Sequence, residues 1–129
     1  MTIAILYREE LKEYDFGPGH PFRGDRYQVF PNFLAERLPP DNNYEILKAN
    51  WATDEDLLRI CHRDYIDFTK QYYRAVNLGL DEEGDFFQYQ ALDNRPIGRP
   101  GKVEEAARLV IGQAKLAADL IQADRKSVV

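Results

Sequence analysis

Three places along the chain carry residue types that could do chemistry. The first is Asp15-Phe16-Gly17-Pro18-Gly19-His20-Pro21, followed by Arg23 and Arg26. Two glycines around a proline favour a tight turn, and a residue before proline leans toward extended backbone. Such a loop can set polar groups beside a ligand. It equally suits an ordinary turn with a hydrogen-bonded His20. Arg23 and Arg26 flank Gly24-Asp25. They could clamp a carboxylate, pair with Asp25, or open the next helix. The second place is Cys61-His62 with Asp64. Zinc needs three or four converging donors, and helix neighbours diverge by about 100°. That cluster therefore predicts neither a metal centre nor a Cys-His nucleophile pair. The third is Asp81-Glu82-Glu83-Gly84-Asp85, an acidic run expected to be solvated loop.

The elements that must position these residues follow from hydrophobic spacing. Ile3-Ala4-Ile5-Leu6-Tyr7 is a continuous apolar run, the pattern of a strand buried on both faces of a parallel sheet. A loop from Glu13 to Arg26 follows. Helical spacing resumes at Tyr27, Phe30, Leu34 and Leu38, with a kink or fresh start expected at Pro31. Pro39-Pro40 stops it, and Asp41-Asn42-Asn43 predicts a turn. Tyr44 to Ala49 is a second, weaker strand. Thr53 is expected to cap a short helix reaching Ile60, with Asp54, Glu55 and Asp56 in its first turn. Tyr65, Phe68, Tyr72 and Val76 form one stripe of another helix, expected to be core, with Asn77 or Gly79 ending it.

Gly79 to Gly101 is a long acidic connection of the kind that is functional or disordered in a compact domain. The clearest helix then carries Ala106, Leu109, Val110, Gln113, Ala117, Leu120 and Ile121 to about Ala123. Gly112 and the alanines thin its stripe and invite close backbone approach. Ser127 starts a further apolar run. The order predicts an α/β fold with parallel strands joined by helical crossovers.

Composition bounds the function classes. The 129 residues carry 17 Lys+Arg against 22 Asp+Glu, a formal charge of −5. A net acidic chain has no general attraction for phosphates, so a nucleic-acid partner is not expected. No apolar run is long enough for a membrane span, and none is expected. The single cysteine, Cys61, leaves no internal disulfide framework. A reducing, cytoplasmic setting is the expectation. Length alone predicts one domain, 1–129.

The segment Tyr14-Asp15-Phe16-Gly17-Pro18-Gly19-His20-Pro21, with Arg26 beyond it, resembles the first loop of the zinc-dependent histone deacetylase superfamily. That superfamily includes acetoin-utilisation proteins and acetylpolyamine amidohydrolases. His62-Arg63-Asp64-Tyr65-Ile66 is similar to the family's His-x-x-Tyr segment at a helix start. Asp93 with Pro96, then Glu104-Ala106-Ala107 and Gly112 to Ala118, is similar to a later helix, with Gln113 where the family has a second glycine.

The resemblance implies the three-layer arginase/deacetylase-like α/β fold, here its N-terminal part: about three parallel strands with flanking helices, the first strand lying between the second and third. It implies hydrolysis of acetyl-lysine or acetylated-amine amides in the complete family member. There zinc is held by two Asp and one His, a His-His pair supplies the base, and a Tyr polarises the carbonyl. None of those groups maps onto this sequence, so no cofactor and no catalysis are expected of this chain alone. The residues carried over line the substrate pocket: Gly17, Gly19, His20, Pro21, Arg26 and Asp85. The expected partner is a second copy bound through an exposed sheet edge, or a missing C-terminal half. The alternative is a free-standing, non-catalytic interaction or regulatory module on the same half-fold.

Overall fold

A computed structural model describes residues 3–38, 43–80, 95–123 and 126–128. In chain order it has strand β1 (Ile3–Leu6), a 3₁₀ helix (Glu9–Glu13), helix α1 (Asp25–Arg37) and β2 (Tyr44–Leu47). Then come α2 (Asp54–Leu57), α3 (Arg63–Leu78), α4 (Val103–Gln122) and β3 (Lys126–Val128).

The fold is α/β with a small parallel sheet in the order β2-β1-β3. The register sets Ile3 opposite Tyr44 and Lys126, and Ile5 opposite Ile46 and Val128. The most continuously apolar strand is thus the central one, with Ala4, Ile5 and Leu6 buried. Ala4 and Leu6 share one face and pack with Ala117 and Leu120 of α4. Tyr7 continues the opposite alternation and meets α1, its ring centroid 5.6 Å from that of Phe30.

α4 approaches the connection after β2 closely because its contact side is nearly bare of side chains. A Cβ on Gly112 would stand 1.8 Å from the Asn50 carbonyl oxygen. Beside it, the Ala52 N–H donates to the Arg108 carbonyl at 3.0 Å. Gln113 follows, buried, and its Nε2 donates to the Leu6 carbonyl at 2.9 Å. A second glycine could not make that bond. Gln113 therefore contributes something of its own, because it satisfies a carbonyl at the end of β1.

Several sequence expectations change in detail. α1 is a single helix through Pro31, without a fresh start there. Proline has no N–H, so the carbonyl four residues back, that of Tyr27, loses its helical donor. The Tyr7 hydroxyl donates to that carbonyl at 2.8 Å and replaces it. β2 ends at Leu47 and α2 at Leu57, each shorter than its apolar or acidic pattern predicts. The Thr53 cap is present as a full capping box with Asp56. The Tyr65/Phe68/Tyr72/Val76 stripe is only part of the α3 core face. Tyr72 and Val76 are buried with Ile66 and Tyr73, whereas Tyr65 is 37% exposed. Gly79 ends α3 in the left-handed region at φ +71°, which a residue without Cβ enters freely. The acidic run 81–85 and Asp93 lie outside the described residues.

Candidate functional site

β1 and β2 are parallel to β3, and α4, which precedes β3 in the chain, packs on Ala4 and Leu6 through Ala117 and Leu120 and reaches the Leu6 carbonyl through Gln113, so it runs back along the sheet. Its N-terminal end lies beyond the carboxyl ends of the strands, where open α/β sheets place ligands. The loop 14–24 is fastened there. The Gly101 N–H, just before α4, donates to the Asp15 carbonyl at 2.7 Å. The Ile97 N–H donates to the Phe16 carbonyl at 2.7 Å.

Asp15 shapes the loop from inside. One carboxylate oxygen accepts the Gly17 N–H at 2.9 Å and the other the Gly24 N–H at 2.8 Å. Two well-separated backbone donors are thereby closed onto one side chain, as an aspartate-stabilised turn does on a smaller scale. Gly17 sits at φ +104°, and a Cβ there would stand 1.6 Å from the Ile97 carbonyl oxygen. No other residue fits that point. The hydrogen-bonding aspartate is legible in the sequence as Asp-x-Gly, but its role is not.

His20 is buried at 5% exposure. Its ring stacks on Phe16 at 4.9 Å between centroids, and its Nδ1 accepts the Phe22 N–H at 3.0 Å. Accepting that bond leaves Nδ1 without a proton, so a neutral ring carries its proton on Nε2. Phe16, Phe22, Tyr14 and Tyr73 close around this stack, joining the loop to α3. Of the two openings left by the sequence for His20, the structure has the hydrogen-bonded histidine in a buried turn.

Gly17, Gly19, His20 and Pro21 together line one side of an open cleft of about 900 Å³, with Arg99 and Pro100 opposite. Arg26 is not on that lining. It is exposed at the start of α1, its guanidinium 5.1 Å above the Tyr27 ring. Arg23 pairs with Asp25 across the helix start. Asp85 lies outside the described residues. Cys61 packs beside Leu57 and Ile66 whereas His62 is exposed, so the two diverge.

The zinc implied for complete family members finds no donor set among the described residues. Among the described residues no three His, Cys, Asp or Glu side chains converge. His20 is the one imidazole on the cleft lining among the described residues, and its Nδ1 already accepts a backbone N–H.

Sequence reading missed an ion-pair hub between α2, α3 and α4. Asp54 accepts from Lys70 at 2.7 Å and lies 2.8 Å from Arg108 and 3.4 Å from Arg63. The Lys70 bond, then that of Arg108, holds the Asp54 carboxyl down at about 2. Asp56 is also held at about 2, first by the Thr53 N–H and then by Lys115. Acidic residues in a first turn announce a helix start. Their partners on α3 and α4 are distant in sequence and leave no local trace.

No protein-family model matches the chain, and no curated protein or solved structure matches it either. Among the described residues, no helix is long and apolar enough to cross a membrane.

Proposed function

We propose that this chain forms the N-terminal, pocket-wall part of a zinc-deacetylase-like unit of the three-layer arginase type. Its loop Asp15–Pro21 is the wall that orients an acylated amine, and hydrolysis requires residues beyond these 129. The observation that carries the reading is the loop itself. It is irregular, buries Phe16, Gly17 and His20, is pinned by both oxygens of Asp15, and is set at the carboxyl end of a parallel sheet. The order β2-β1-β3, with β1 central, supports it. Amide hydrolysis needs an activated water and oxyanion stabilisation, and a pocket wall supplies orientation alone.

The same reading assigns a partner. β3 pairs with β1 on one side only among the described residues, and its other side is an edge that a further strand would cover. That strand comes from a second copy or from the catalytic part.

Two measurements test the reading. Titration with N-acetyl-lysine amide and N-acetylputrescine, followed by amide resonances, is expected to move Gly17, Gly19 and Gly101, with no hydrolysis in the presence of zinc. Stoichiometric, chelator-sensitive zinc with deacetylase turnover would overturn it, as would perturbations that spare the loop. Light scattering over a concentration series is expected to show self-association through the edge, or heterodimerisation once the catalytic part is added. A monomer indifferent to both refutes the edge assignment.

A further inference from the structure

α1 carries a second stripe besides the one it turns toward the sheet. Tyr27, Phe30, Pro31 and Leu34 are half-buried on its inner side. Arg26, Val29, Phe33 and Glu36 are exposed on the other, at spacings of three, four and three that keep them in one line along a helix. Val29 and Phe33 stand more than half exposed at the middle of that line. The Arg37 guanidinium, 5.2 Å above the Phe33 ring, does not cover it. Opposite charges close the ends. Arg26 and Glu36 are ten residues apart, about 15 Å of helix, so they cannot meet within one chain. Among the described residues neither has an ion-pair partner.

The stripe complements itself. Its spacings read the same in both directions. A second α1 laid antiparallel about a two-fold axis at Pro31 therefore brings each residue beside the one equally far on the other side of Pro31. Arg26 then faces Glu36 twice, Val29 faces Phe33 twice, and Asp25 faces Arg37 at the margins. A parallel pair sets Arg26 on Arg26 and Glu36 on Glu36. Charge order thus selects both the partner and its direction.

We propose that a second copy of this chain docks on the outer face of α1, two-fold and antiparallel about Pro31, with Val29 against Phe33 at the centre and Arg26 against Glu36 at each end. The contact is small. Thirteen residues make a helix about 20 Å long, and two such faces bury well below the roughly 1,200 Å² of a lasting interface. The pair is weak and reversible, so a dilute chain is monomeric and its stability owes the pair nothing. The docking rests neither on the deacetylase-like reading nor on the β3 edge.

Sedimentation equilibrium of the whole chain over a concentration series tests it, with the amide resonances of Val29 and Phe33 followed in parallel. The wild type is expected to associate reversibly, to move those two amides, and to associate less as salt is added. Arg26→Glu and Glu36→Arg each set like charges together at both ends of the pair. Each alone is expected to weaken association about tenfold. Mixed in equal amounts, the two variants are expected to associate within about threefold of the wild type, because each reversed end then meets its opposite. Both positions are exposed, and melting curves confirm that the variants fold. Association that neither reversal weakens overturns the inference and leaves a contact through the β3 edge standing. A mixture that associates no better than either variant overturns it too. So does a wild type whose Val29 and Phe33 amides stay fixed up to about 1 mM.

Discussion

The loop Tyr14–Gly24 has no repeating hydrogen-bond ladder, yet it buries Phe16, Gly17, His20 and Gly24. α1, which follows at once, is thirteen residues of regular helix and buries none of them. Regularity and burial are thus separated between two neighbouring segments of chain. In the loop the backbone is held by distant partners, Asp15 with Gly101 and Phe16 with Ile97, and across its own ends by the Asp15 carboxylate on Gly24. In α1 the backbone is held by itself, and Val29 and Phe33 stand more than half exposed. The part that looks disordered in pattern is the part that organises the core.

Gly17→Ala strikes the loop hardest. It combines a left-handed backbone at φ +104° with a Cβ driven into the Ile97 carbonyl, and should cost about 3 kcal/mol or more. A lowered urea midpoint checks it; a change near zero would show that the two segments are not in contact. Asp15→Ala comes next. It strips acceptors from the Gly17 and Gly24 N–H groups and should cost about 2 kcal/mol, read the same way.

A smaller effect belongs to the ion hub, which lies between the two extremes: long-range like the loop, exposed like α1. Asp54→Asn should cost about 1 kcal/mol near neutral pH, since two of its three partners, Lys70 and Arg63, are well solvated and only Arg108 is mostly buried. In the folded chain Asp54 and Asp56 titrate at about 2, below the ordinary 3.8 of an aspartate. Their stabilisation is therefore complete above about pH 4 and lost as pH falls toward 2. Thermal melts across that window should fall more steeply in the wild type than in Asp54→Asn. Smallest of all, Phe33→Ser on α1 should change stability by less than about 0.5 kcal/mol. A loss of several times that would place α1 in a buried interface and dissolve the contrast.

What can be read in the chain divides along the same line. β1, α3 and α4 are legible because a continuous apolar run and a helical stripe are local signals. Gly79 and Thr53 are legible because caps use residues adjacent to what they end. The 3₁₀ helix Glu9–Glu13 escapes a sequence reading: its pattern is charged, and a single buried residue, Leu11, is its only apolar signature. His20 stands out by type, but whether its ring faces solvent or Phe16 depends on where Phe22 folds back. Arg26 matches by spacing and yet lies off the cleft lining, because the helix start at Asp25 turns it toward Tyr27. Gln113 looks like a departure from a pattern until its partner at the far end of the chain, the Leu6 carbonyl, is known.

The proline in α1 has a consequence for how the helix is steered. Most helices are positioned by the oil they bury, which is broad and tolerant. This one is moored by a phenol reaching the carbonyl that Pro31 left unclaimed. The directional bond fixes a heading, and the Tyr7–Phe30 ring contact at 5.6 Å lies beside it. Tyr7, one residue past β1, thus both meets α1 through its ring and sets the helix's direction through its hydroxyl.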